Sequence, residues 1–124
     1  MKTKLFQSKK IEVRKSSIHG YGVFANSKIS KGELLEECHY IPLIQKDDIT
    51  KKYIFNWPAH TPTKTVLSLG FGSMYNAANS KKERTATWNT DLDNDILIFS
   101  TLKNIKADEE ILIWYSYKDG KIYR

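Results

Sequence analysis

The sequence predicts a mainly β domain of short strands joined by long loops. Three observations carry that prediction. Apolar residues alternate with charged or polar ones in short runs, as in Ile11-Glu12-Val13-Arg14-Lys15 and around Ala86 and Trp88. β-Branched and aromatic residues concentrate in Ile96-Leu97-Ile98-Phe99 and in Ile111-Leu112-Ile113-Trp114-Tyr115, which is strand chemistry. No stretch sustains a helical period, and glycine and proline recur between the apolar runs.

Taken in order, Ile11 to Lys15 is the first strand. A loop, Ser16-Ser17-Ile18-His19-Gly20-Tyr21-Gly22, leads into a second strand over Val23-Phe24-Ala25. Two glycines one residue apart allow positive φ and close approach of the backbone to another group. They are not a dinucleotide fingerprint, because the third glycine is missing and a strand follows. Ile29 to Leu35 is a turn entering a strand that runs to about Ile41, where Pro42 is expected to stop it. Ile105 to Ile111 echoes that corner. Asp47 or Asp48 is placed to cap a short helix over Ile49 to Tyr53. Pro58, His60 and Pro62 mark an irregular excursion, and Thr65 to Leu69 is a short strand or the approach to a loop. Gly70 to Asn79 is a glycine-rich loop with Tyr75 just before Asn76. Arg84 to Thr90, the turn Asp91-Leu92-Asp93-Asn94 and Asp95 to Lys103 form a hairpin. Along the last strand, Tyr115 and Tyr117 share one face. Such a phenol pair fills a core with its hydroxyls at the rim, or lines a narrow polar-tipped channel.

At 124 residues and 40% apolar content, the chain is long enough for one buried core. No apolar run reaches bilayer-spanning length. The first ten residues lack the apolar segment of a secretory signal, so a cytoplasmic location, or a host-cell interior for a viral gene, is expected. Cys38 is the only cysteine, which leaves no intrachain disulfide and no cysteine set for zinc. It is expected to be a small buried apolar residue. His39 and His60 lack partners at metal spacing, so no metal site is expected. The net charge of +6 is gathered in residues 1–16, around Lys81-Lys82-Glu83-Arg84, and in Lys118, Lys121 and Arg124. It serves solubility through a partly disordered basic arm over residues 1–10, or holds the protein near nucleic acid.

Three loops together resemble the SET domain of protein lysine methyltransferases. They are His19-Gly20-Tyr21-Gly22-Val23-Phe24-Ala25 with Lys31-Gly32-Glu33-Leu34, then Gly70-Phe71-Gly72-Ser73-Met74-Tyr75-Asn76, then Asp108-Glu109-Glu110-Ile111 leading to Tyr115. Their order and spacing match over nearly the whole chain. The resemblance is to the minimal bacterial or viral type. It places a SET domain at residues 11–117, with a variable insert at 43–66 and a tail at 118–124. It implies a β-clip-like set of small sheets with a knot-like C-terminal crossing. It further implies S-adenosylmethionine as cofactor, held by His19, Gly20, Tyr21, Gly22, Tyr75, Asn76, Ala77 and Tyr115. Tyr115 matches the family's catalytic tyrosine, and Tyr40 and Tyr117 are candidate walls of the substrate channel. The implied substrate is a protein carrying a lysine, whether histone-like, ribosomal or otherwise basic.

The residue types suit methyl transfer to lysine, which asks mainly for alignment and for a neutral amine. A cationic substrate would be drawn to acidic stretches such as Glu33, Glu36 and Glu37, or Asp91, Asp93 and Asp95. The sequence departs from the family at Ala77, where His is usual, and at Asp108, where glycine is common. A catalytically degenerate SET-fold interaction module and a basic nucleic-acid-binding β-barrel therefore stand beside the enzyme. With only a short tail to finish the channel, a homodimer is a further expectation.

Overall fold

The computed structural model describes residues 2–44, 47–50, 53–59 and 63–115. Their strands are β1 (Ile11–Lys15), β2 (Tyr21–Ala25), β3 (Leu34–Cys38), β4 (Tyr40–Leu43), β5 (Ile54–Trp57), β6 (Lys64–Ser68), β7 (Asn76–Ala77), β8 (Ala86–Asp91), β9 (Ile96–Thr101) and β10 (Leu112–Ile113). They form four small sheets, ordered β1-β2, β10-β7, β3-β9-β8 and β4-β6-β5. Two single turns of 3₁₀ helix, Gly72–Met74 and Lys81–Glu83, are the helical pieces named among the described residues. The architecture is the mainly β one that the alternating runs predict.

The β8–β9 hairpin pairs in register from Ala86↔Thr101 to Asp91↔Ile96. Its turn is built as the sequence suggests, with the Asp91 carboxylate accepting from Asn94 N (3.2 Å) and Asn94 Nδ2 (2.8 Å). Trp88, Leu97 and Phe99 point into the core with Leu35 from β3. The two echoing corners meet each other. Ile29 and Ile105 exchange backbone hydrogen bonds of 2.9 and 2.8 Å, and Gly32 and Asp108 both take positive φ, at 80° and 70°.

One strand differs from expectation. The run from Leu34 breaks at His39, and the chain continues as β4 in a different sheet with Pro42 inside it. β4 is the edge of β4-β6-β5, and an edge tolerates a residue without an N–H. The basic N-terminal segment is not a loose arm. Glu37 N donates to the Phe6 carbonyl, Ser8 N donates to the Leu35 carbonyl, and Gln7 bridges to Glu36, so residues 6–8 extend the β3 edge.

The C-terminal stretch ties these parts together. Residues 105–115 bond in turn to Ile29, to β2 through Glu109 O and Ile111 N, to β7 through β10, and to Trp88 Nε1 through the Trp114 carbonyl. Ile111, Ile113 and Tyr115 are all buried, as a period of two requires.

Candidate active site

The site is built around two consecutive residues, Tyr75 and Asn76, which follow the 3₁₀ turn and enter β7. Asn76 is fully buried. Its Nδ2 donates to the His19 carbonyl (3.0 Å), the Tyr21 carbonyl (3.5 Å) and Glu110 Oε2 (2.7 Å). The other oxygen, Glu110 Oε1, accepts from the Ser16 hydroxyl at 2.7 Å. Glu110 reaches this place because residues 109–111 run antiparallel beside β2, with Phe24 opposite Glu110. Gly22 leaves the room this network fills: a Cβ there would lie 2.1 Å from Glu110 Oε2 and 2.8 Å from Asn76 Nδ2, so both side chains would have to shift. Gly20 has φ of 47° and open space where a Cβ would go, and the Tyr21 side chain is 63% exposed.

On the other side of the same segment, the Tyr115 hydroxyl donates to the Tyr75 carbonyl. The Tyr115 ring lies 4.7 Å from that of Phe55, and Tyr75 stacks on Phe99 at 4.8 Å. The Tyr75 hydroxyl donates to Glu36 Oε1 at 2.9 Å. Burial, reinforced by that carboxylate, pushes the Tyr75 phenol well above the usual tyrosine range. The three separated loops singled out in sequence thus converge on Tyr75 and Asn76.

The SET-domain family model matches residues 20–116, most of the chain. This protein belongs to the SET-domain family. A Schizosaccharomyces pombe histone-lysine N-methyltransferase, specific for lysine 37 of histone H3, is 27% identical over 112 residues, spanning 85% of this chain and 72% of the relative. The solved structure of a Plasmodium falciparum candidate histone methyltransferase superposes with a TM-score of 0.74 at 28% identity, covering 92% of this chain and 99% of that one. The methyltransferase domain of human PR domain-containing protein 2 gives 0.65 at 21% identity over 92% and 82%, a likeness of fold alone. The family and these relatives support a methyltransferase.

Within this SET domain the structure gathers His19, Gly20, Tyr21, Gly22 and Asn76 around one amide, with Tyr75 and Tyr115 joined behind it. Ala77 is a buried methyl in β7, so only its main chain is available to a ligand. The His19 ring lies 6.2 Å from that of Tyr53. The Tyr40 ring packs 4.2 Å from Trp57 and its hydroxyl donates to Asp95 at 2.5 Å. Burial first, then Asp95, pushes its phenol up to about 12. Tyr117, the second candidate channel residue, and His60 lie outside the described residues. Cys38 is buried, and burial pushes its thiol far up, as an inert core position requires. The acidic stretch at Glu33, Glu36 and Glu37 is engaged internally, by Lys10 (2.9 Å), by Gln7 and Tyr75, and by Lys2 (2.8 Å).

Four contributors were not singled out for the site. Glu110 reads only as part of an acidic turn, Ser16 as a loop residue, Glu36 as one of the acidic stretch Glu33, Glu36 and Glu37 that would draw a cationic substrate, and Phe55 falls in the least legible segment. Only Phe55 carries a local signal, the alternation Phe55-Asn56-Trp57.

Proposed function

We propose that this SET domain is an S-adenosylmethionine-dependent protein lysine N-methyltransferase with Tyr115 as its catalytic residue. The observation that carries the reading is the convergence of the glycine loop, Asn76 and Tyr115 on one two-residue segment. The cofactor supplies a methyl group on a positively charged sulfur.

The residues present suit such a group. The Gly20–Gly22 loop is open beside Gly20, and Tyr21 offers an exposed ring to a cation. The Glu110 carboxylate behind the loop is hydrogen-bonded by neutral donors, Ser16 and Asn76, and its negative charge favours a cationic ligand. At position 77 the fit is limited to the main chain. On the other face, the proton of Tyr115 goes to the Tyr75 carbonyl. Towards an incoming amine the phenol oxygen therefore acts as an acceptor. It orients the neutral lysine nitrogen without adding a charge, and the surrounding aromatic rings exclude water.

The substrate is a lysine-bearing basic protein such as a histone, in keeping with the named relatives. A second reading, a non-catalytic interaction module, is favoured by Ala77, which removes an imidazole from the cofactor side. Labelled methyl transfer into histones and total basic proteins separates the two. Tyr115→Phe is expected to lower the rate at least about 100-fold while the melting temperature stays within a few degrees. Full activity in that variant would overturn the catalytic role.

A further inference from the structure

We propose that Glu36 is a positioning residue for Tyr115, acting through a staple across the Gly70–Tyr75 turn. The proposal rests on the reading of Tyr115 as catalytic. Glu36 lies on β3 and is 1% exposed. Its Oε2 accepts from Phe71 N at 3.3 Å and from Gln7 Nε2 at 3.2 Å. Its Oε1 accepts from the Tyr75 hydroxyl at 2.9 Å. Phe71 and Tyr75 bracket the 3₁₀ turn Gly72–Met74, so one carboxylate grips both ends of it. Gly70, at φ of 65°, lets the chain pass close: a Cβ there would stand 3.1 Å from Glu36 Oε2.

The turn delivers the Tyr75 carbonyl, which holds the Tyr115 hydroxyl. With its ring stacked on Phe99 and its hydroxyl on Glu36, Tyr75 has no freedom to swing, and its carbonyl is fixed with it. Three donors converge on the carboxylate. An amide at the same place has one acceptor oxygen, and its NH₂ would face a donor. Glutamate is thus chosen over glutamine by the hydrogen-bond count. A buried carboxylate is costly unless satisfied, and here three donors satisfy it, which a space-filling residue would not need.

The test compares Glu36→Gln and Tyr75→Phe with Ile105→Val, a core control at the Ile29–Ile105 corner that touches none of the staple's hydrogen bonds. Each of the first two is expected to lower kcat about tenfold, with KM for the protein substrate and affinity for S-adenosylhomocysteine within about twofold of wild type. The double variant is expected to be no worse than the poorer single one, because both break the same link. Gln7→Ala, which keeps the carboxylate, is expected to lower kcat by about twofold. A readout free of turnover runs alongside: fluorine NMR of 3-fluorotyrosine-labelled protein, with the Tyr115 resonance assigned by its loss in Tyr115→Phe. Glu36→Gln, or Tyr75→Phe if the former does not fold, is expected to move that resonance, and Ile105→Val to leave it. An unmoved Tyr115 resonance in the staple variants would overturn the proposal, as would unchanged kcat. A wild-type chain that transfers no methyl group would instead sink the functional reading, with the fluorine shift still deciding the staple.

Discussion

Tyr75 and Asn76 are neighbours, yet they serve opposite flanks of the site, and each flank is closed by a carboxylate. Successive residues of an extended chain point to opposite sides, so the one step from Tyr75 into β7 separates the two environments. On the Asn76 flank, Glu110 is half-buried and accepts from Ser16 and from the Asn76 amide, which also donates to the His19 and Tyr21 carbonyls of the open glycine loop. On the Tyr75 flank, Glu36 is sealed among aromatic rings and grips a turn. The difference teaches what each carboxylate is for. In the proposed reading, the half-open one sets its charge behind the loop that would hold the cofactor. The closed one offers no surface and holds a phenol in place.

Breaking the open flank should have the largest effect. Asn76→Ala leaves the Glu110 carboxylate and two loop carbonyls without their shared donor. Affinity for S-adenosylhomocysteine, measured by calorimetry, should fall about 100-fold, near 3 kcal/mol. The Tyr115 fluorine resonance should hardly move. Deleting residues 2–8 attacks the closed flank instead. It uncovers the β3 edge and removes Gln7 from Glu36 along with the Phe6 and Ser8 pairings. Unfolding in urea should reveal a loss of about 2 kcal/mol, with the Tyr115 resonance shifted and S-adenosylhomocysteine affinity retained. The smallest effect belongs to a site outside both flanks. Asp108 takes φ of 70° in the corner where Gly32 takes 80° in its counterpart. Asp108→Gly relieves that conformation, and the lost exposed pair with Arg14 weighs little. The melting temperature should rise by about 2 °C, with neither binding nor the fluorine signal altered.

The strands were legible where period two is strict, as in β1 and the β8–β9 hairpin. The β3–β4 break was not, because Pro42 is tolerated by an edge that only the assembled sheet defines. Asn76, the glycine loop and Tyr115 could be named from sequence because their chemistry sits in recognisable runs. Glu110 and Glu36 could not. Their roles depend on Ser16, 94 residues away, and on Tyr75, 39 residues away, and a carboxylate's burial is decided by such partners. For Tyr40, a strand end suggests a channel wall, and what the sequence does not show is its partners, Trp57 for the ring and Asp95 for the hydroxyl. The basic arm looks free in sequence, but Lys2 and Lys10 pair with Glu37 and Glu33 of the acidic stretch that a cationic substrate would otherwise meet.

The central claim is that the open flank is a working cofactor site despite Ala77. Calorimetric titration of the chain with S-adenosylhomocysteine tests it without needing a known substrate. Saturable micromolar binding that Asn76→Ala weakens is the predicted result. No heat at millimolar ligand, from protein whose melting curve shows it folded, would contradict the claim and leave a SET fold that works as an interaction module.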